Sequence, residues 1–170
     1  VIYNNLLQSL FQSLIGSLTI VFSAIFIMFI ILFRYFYMAL IAMIPNLLSA
    51  ASVLGIIGWS GIPLDIMTVT VAAISIGMAV DNTIHYIYRY KKEMKSTNSI
   101  EMALQNAHTT TGRAIFYTAA TIATGFSILS LSNFFPTQLF GIFTALAMLI
   151  AFISSLSLLP NLLVKFKVFQ

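Results

Sequence analysis

Residues 14–33 read LIGSLTIVFSAIFIMFIILF, a run of twenty residues without a charge that ends at Arg34. A helix needs about 20 mostly apolar residues to cross the hydrocarbon core of a lipid bilayer. A helix formed by such a run has an apolar outer surface, which is stable only where it contacts lipid rather than water. This run therefore decides the class of fold, which is predicted to be an all-α integral membrane protein.

The composition of the whole chain points the same way. Of its 170 residues, 60% are hydrophobic and 7% are charged, whereas a soluble domain carries about 25% charged residues. The net charge of +4 is compatible with nucleic-acid binding, but the basic residues lie between hydrophobic runs, and we expect no nucleic-acid partner. The chain has no cysteine, so no disulfide, thiol nucleophile or thiolate metal site is available.

The first hydrophobic run does not have the features expected of a signal peptide. It begins with Val1, and neither a basic segment nor a small-residue cleavage site precedes the first hydrophobic run. A secretory signal peptide has both features, so this run is not predicted to be one. We expect the chain to be a fragment of a longer protein.

Four further hydrophobic runs complete a predicted bundle of five spans within one transmembrane domain, residues 1–170. The predicted spans are residues 14–33, 37–59, 64–88, 114–131 and 137–163. After the third span, residues 89–98 are charged and polar and predict a solvated loop. Asn98 and Glu101 have the spacing of a capping box, which predicts a short amphipathic helix over residues 99–109.

The basic residues indicate how the spans are oriented. All eight follow the first, third or fifth span: Arg34, Arg89, Lys91, Lys92, Lys95, Arg113, Lys165 and Lys167. Lys and Arg in short loops mark the cytoplasmic side of a membrane. The N-terminus is therefore predicted to be extracytoplasmic, and the amphipathic helix and the C-terminus are predicted to be cytoplasmic.

Asp81 is the most informative residue within a predicted span. It follows Asp65, expected at the outer interface, by roughly 24 Å of helix, which places it inside the membrane. A charged Asp at such a depth costs about 2.5–3.5 kcal/mol, so we expect its side chain to be buried in the bundle. An intramembrane carboxyl is a functional candidate by default. The alternative is an anchor that hydrogen-bonds a neighbouring helix.

Residues at helical spacing from Asp81 complete the candidate site on its own helix. Gly77 and His85 lie one turn to either side on the same face. Thr70 and Ala73 continue this stripe of small residues, which would let another helix approach closely. A carboxyl whose protonation changes with its surroundings suits a proton relay. His85 is either a second member of that relay or a side chain that meets water and headgroups.

Three further residues are weighed as supporting groups. Thr118 and Thr121 in the fourth span are predicted to contact Asp81, although a threonine in a membrane helix often bonds to its own backbone instead. Asn82 is either part of the relay or a packing amide. No catalytic, metal or cofactor constellation is found, because His85 and His108 are far apart in sequence and predicted depth. We expect no enzyme activity.

The motifs around these residues resemble the RND superfamily, and within it the MMPL-type exporters, whose membrane region is related to the sterol-sensing domain. The resemblance covers nearly the whole chain. Its motifs are GIPLDI at 61–66, IGMAVDNTIHY at 76–86, TGRAI at 111–115, Thr118, Gly125-Phe126, Phe140-Gly141 and Leu159-Pro160.

This resemblance implies an architecture. Members of the group consist of two similar halves, each with one helix, a large extracytoplasmic domain and five more helices. The chain then corresponds to the five-helix block of one half of an RND-type transmembrane domain, the C-terminal one. Its partners are membrane lipids, the other half and an extracytoplasmic domain, and its location is the cell (inner) membrane as a multi-pass protein.

The resemblance also implies a function. The family's Gly-x-x-x-Asp motif maps onto Gly77 and Asp81, and this aspartate is the proposed proton relay. Many members have Tyr or Asp at the next position, where this chain has Asn82. The implied function is export of hydrophobic or lipid-like substrates driven by the proton-motive force. The alternatives are a sterol-sensing-like module that binds lipid or partner helices without transport, and a relative of the Sec-system export components.

Overall fold

The computed structural model describes residues 2–63, 66–97 and 99–166, and within these residues every regular element is helical. The predicted start of the third span at Leu64 and Asp65, the capping residue Asn98 and Lys167 lie outside the described residues. The α-helices are α1 (Ile2–Phe33), α2 (Phe36–Trp59), α3 (Ile66–Thr97), α4 (Ile100–Ala107), α5 (Arg113–Ile128), α6 (Phe135–Ile153) and α7 (Leu159–Lys165).

Two π-helical segments join four of these helices into longer ones. The first π segment (His108–Gly112) links α4 to α5, and the second π segment (Ser154–Leu158) links α6 to α7. Five helical stretches are then long and apolar enough to cross a membrane, and they are numbered here as spans one to five. They are Ile15–Phe33, Phe36–Trp59, Met67–Thr97, Ile100–Leu131 and Phe135–Lys165. The prediction of an all-α membrane protein with five helices of spanning length is confirmed.

Residues 1–40 form one compact unit. The helix α1 begins at Ile2 and runs continuously into the predicted first span, residues 14–33. It ends where predicted, because Arg34 adopts a left-handed backbone conformation with φ of 59°. The Arg34 amide still donates to the carbonyl of Ile30 at 2.8 Å, and the rings of Phe26 and Phe36 meet edge to face across the turn.

Residues 41–170 form the second unit, and its apolar core lies where spans two, three and five meet. The core cluster consists of Val53, Ile57, Val71, Phe143 and Ala147. Spans two and five each contribute two residues one turn apart, as the helical period of the sequence predicts, and span three contributes Val71.

Spans four and five approach closely at Gly141. A Cβ atom at this position would lie 2.5 Å from the carbonyl oxygen of Phe126 and 2.7 Å from Cβ of Leu129. Both atoms belong to the end of span four, and neither is the tip of a flexible side chain. The contact between these spans therefore requires glycine at residue 141.

The third helix is longer than predicted. It continues past residue 88 to Thr97, so the prediction of a solvated loop over residues 89–98 is wrong for its described part. Lys, Arg, Glu and Met are good helix formers, and Arg89 and Glu93 form an ion pair one turn apart. Charge alone therefore did not interrupt the helix.

The amphipathic segment is not a separate element. It begins with Ser99 as N-cap and forms α4, which continues through the first π segment into span four. The predicted break before residue 114 does not occur. The hydroxyls of Thr109 and Thr110 donate to the carbonyls of Gln105 and Asn106 one turn back, which satisfies these polar groups within the helix.

Candidate functional site

The face of span three that carries the candidate residues is exposed. Thr70, Ala73, Gly77 and Asp81, spaced by three or four residues, all lie on this face. A Cβ atom added to Gly77 would meet nothing within 4 Å. Among the described residues of the second unit, therefore, no helix covers this stripe of small residues, and the prediction that another helix packs against it stays a prediction.

Asp81 and His85 contact each other on this face. Nε2 of His85 lies 3.3 Å from Oδ1 of Asp81, as expected for residues one helical turn apart. Each side chain is 67% exposed, so the prediction that Asp81 is largely buried is wrong for the described chain. The physical reason is that its burial depends on whatever packs against span three, and the described helices leave that face open.

A groove of about 430 Å³ lies between span three and span four, beside this pair. Its lining residues are Asp81, Asn82, His85, Thr110, Thr111, Ala114, Ile115 and Thr118. Span three supplies the titratable groups and span four supplies mainly hydroxyls and small side chains. The groove is thus a polar recess in otherwise apolar helices, of the kind that admits water or protonatable groups.

The two threonines predicted to contact Asp81 behave differently from each other. Thr118 lines the groove, but its hydroxyl donates to the carbonyl of Ala114 on its own helix at 3.0 Å. Thr121 is exposed one turn further along and does not line the groove. Back-bonding, the alternative raised from the sequence, is therefore what Thr118 does.

Asn82 connects the groove with the packed interior. The residue is only 4% exposed, although its side chain is among those that line the groove. Its Nδ2 atom is buried and has no hydrogen-bond partner among the described residues. Binding of a hydrogen-bond acceptor in the groove would satisfy this amide group, because an unpaired buried donor lowers stability by about 1–3 kcal/mol.

The first π segment supplies groove residues that the sequence analysis did not identify. Thr110 and Thr111 line the groove from this segment. Nearby, the Tyr86 hydroxyl lies 3.5 Å from Nδ1 of His108, which ties the start of the π segment to span three. The available signal was the run of three threonines before Gly112, which is unusual at the end of an amphipathic helix.

A second polar cluster lies at the basic end of span three, and it was also missed. Nη2 of Arg89 lies 2.9 Å from Oε1 of Glu93. The Asn106 amide on α4 donates to Oε2 of Glu93 at 3.0 Å. The signal for it was the four-residue spacing that continues from Asp81 through His85 to Arg89 and Glu93. Among the described residues, no group of three His, Asp or Glu side chains is placed to hold a metal ion.

Helices of spanning length, with an acid–base pair in a groove between spans three and four, define a multi-pass membrane protein. The chain belongs to the MMPL family, whose sequence pattern it matches over residues 5–166. Proteins of this family are transporters.

One curated relative is a protein of Methanocaldococcus jannaschii that is named as a membrane protein. It is 31% identical to this chain over 140 residues, which cover 82% of the chain. The aligned region spans 36% of the relative's own length, so the chain covers about a third of it. No solved structure matches the chain significantly.

Proposed function

We propose that the chain is the membrane module of an RND-type exporter of hydrophobic or lipid-like molecules, driven by the proton-motive force, in which Asp81 relays protons. The observation that carries the proposal is the contact of 3.3 Å between Asp81 and His85 in the groove. The two side chains hold a titratable acid and a titratable base in proton-transfer range. Membership of a transporter family supports the same conclusion.

The depth of the pair makes its protonation sensitive to the surroundings. Asp81 lies about 22 Å along the helix from Ile66, the first residue of α3. An ionisable side chain at such a depth requires a polar partner, and His85 supplies one. One charge that crosses the full membrane potential releases about 2.3 kcal/mol per 100 mV, which is sufficient to drive a rearrangement of packed helices.

The remaining features of the proposal concern what surrounds the chain. A second half of the transporter covers the stripe of small residues and closes the groove, so that Asp81 becomes buried in the assembled protein. A large extracytoplasmic domain handles the substrate. The chain lies in the cell (inner) membrane with its N-terminus outside, and α4 and the C-terminus are cytoplasmic, as the basic residues indicate. In this role it uses neither a cofactor nor an enzymatic step.

A second candidate function is a sterol-sensing-like module that binds lipid or partner helices without transport. The exposed stripe formed by Thr70, Ala73 and Gly77 favours it, because small residues allow another helix or a lipid to approach closely. A role like that of the Sec-system export components gains no specific support from the geometry. The two leading candidates differ in whether Asp81 must change its protonation.

The experiment uses the full-length protein in liposomes with an imposed proton gradient and a lumenal pH-sensitive dye. Extrusion of the hydrophobic probe N-phenyl-1-naphthylamine from cells provides a second readout. Asp81→Asn should abolish both, because Asn preserves size and hydrogen bonding but does not titrate, while Asp81→Glu should keep part of the activity. Normal gradient-dependent transport by the Asn variant would show that Asp81 is structural and would favour the sterol-sensing-like function.

A further inference from the structure

Charged and titratable side chains recur at every fourth residue along one face of span three. In order they are Asp81, His85, Arg89 and Glu93. They form two contacts placed end to end, one between the first two residues and one between the last two. At 1.5 Å per residue the series extends over about 18 Å, from the groove to the basic end of the helix.

Glu93 is the most constrained member of this series. Both of its carboxylate oxygens are engaged, one by the Arg89 guanidinium at 2.9 Å and the other by the Asn106 amide at 3.0 Å. Its side chain is 12% exposed, compared with 34% for Arg89. Because Asn106 belongs to α4, the carboxylate is held from two helices and fixes the direction in which the guanidinium extends.

The Arg89 side chain extends toward the C-terminus of the helix, where Glu93 lies, which is opposite to the usual direction. Long side chains on a helix lean toward its N-terminus and cover the preceding turn. An Arg89 side chain without Glu93 would therefore extend over His85, one turn back, instead of over the turn that follows. His85 is the residue that would receive a proton from Asp81, so the position of this guanidinium bears directly on the relay.

We propose that Glu93 is a positioning residue for proton transfer, holding Arg89 away from His85 so that this imidazole can take up a proton; the inference rests on the proposed relay function of Asp81. In the transfer, the Asp81 carboxyl gives its proton to Nε2 of neutral His85, which leaves a carboxylate and an imidazolium. The imidazolium then releases its Nδ1 proton to water. A guanidinium beside the ring opposes the first of these two steps, the protonation of His85, through repulsion between like charges.

The side chains that face Asp81 and His85 from span four do not hold Arg89. Thr110, Thr111 and Thr118 contribute hydroxyls to the groove, and His108 contacts Tyr86. The ion pair of Arg89 and Glu93 is the charged contact that begins one turn after His85 on the same helix.

The experiment compares three variants of the full-length protein in the same proton-gradient assay, with thermal unfolding as the measure of folding. Glu93→Gln retains the size of the side chain and an acceptor for Asn106 but releases Arg89, and it should slow proton flux by about tenfold or more. Adding Arg89→Gln to this variant should restore flux to within about twofold of the parent protein. Glu101→Gln, the same chemical change at an exposed position of α4, is the matched control and should have no effect.

Each outcome decides the matter. Restored proton flux in the double variant supports the proposal, because it identifies the unpaired guanidinium as the cause of the defect. This holds even if the single variant does not fold. Normal flux in Glu93→Gln overturns the proposal, as does a folded double variant without flux. In either case a loss of flux in Asp81→Asn would leave the proposed function standing, whereas normal flux in Asp81→Asn would remove that function itself.

Discussion

The hydroxyl of Ser154 donates to the carbonyl oxygen of Pro45 at 3.1 Å, and this bond joins span five to span two across the buried core. Both ends are irregular points in their helices. Pro45 lies inside α2, which continues through it, and Ser154 opens the second π segment. The bond thus pairs a backbone carbonyl of a proline-containing helix with a hydroxyl supplied by its neighbour, and it links the two helices.

Ser154→Ala should lower the free energy of unfolding of the full-length protein in detergent by about 1–2 kcal/mol. The change removes an interhelical hydrogen bond and leaves a buried carbonyl without this donor. Ser157→Ala is the matched control, because Ser157 is exposed and donates only to Ile153 on its own helix, and it should be nearly neutral. Equal stability of the two variants in thermal unfolding would contradict a structural role for the bond.

Gly141→Ala should destabilise the protein by about 1–3 kcal/mol, the usual cost of overpacking a tight interior. The added methyl group would collide with the backbone of span four at Phe126. Gly125→Ala serves as the control on the opposite helix, because a Cβ atom there meets nothing within 4 Å. Thermal unfolding of both variants measures the difference, and a Gly141→Ala protein as stable as the control would contradict the close approach of the two spans.

Much of the fold was predictable because spanning helices have a strong sequence signal. Each hydrophobic run of about 20 residues corresponds to one long helix. The errors arose where charge was taken as a sign of a loop. Arg89 and Glu93 belong to a helix because their side chains pair along it, and the threonines of the first π segment maintain the helix by bonding to carbonyls one turn back.

The site was predictable only along its own helix. The four-residue spacing of Asp81 and His85 placed them on one face of the helix, and Thr118, predicted to contact Asp81, lines the same groove. Burial could not be predicted in the same way, because it depends on which helices cover a face. Thr110 and Thr111 escaped prediction because a π segment shifts the register of side chains relative to a regular α-helix.

Topology is tested by labelling cysteines introduced at Ser60 and Lys92 with a membrane-impermeant thiol reagent. Both positions are exposed in the structure, and the natural chain has no cysteine to interfere. The distribution of Lys and Arg predicts that Ser60 is labelled from outside the cell and Lys92 only after the membrane is opened. Labelling of both positions from the same side would contradict the orientation.

Gly77→Leu should leave the stability of the 170-residue chain by itself within about 0.5 kcal/mol of the parent, because the side chain enters open space in this chain. It should nevertheless abolish transport, since a large side chain on the stripe keeps a second half of the transporter from packing there. Gly58→Leu, on an equally open position of α2, should have little effect on either quantity. Normal dye extrusion by Gly77→Leu would indicate that the stripe faces lipid.

The central claim is that Asp81 gains and loses a proton during transport, and infrared difference spectroscopy measures this directly. The full-length protein in liposomes is compared with and without a proton gradient, and the carbonyl stretch of protonated carboxyl groups is recorded. We predict a carboxyl band that appears and disappears with the gradient and is missing from the Asp81→Asn protein, while Glu101→Gln retains it. A band that persists unchanged in Asp81→Asn, or no carboxyl signal in a protein that transports, would contradict the account.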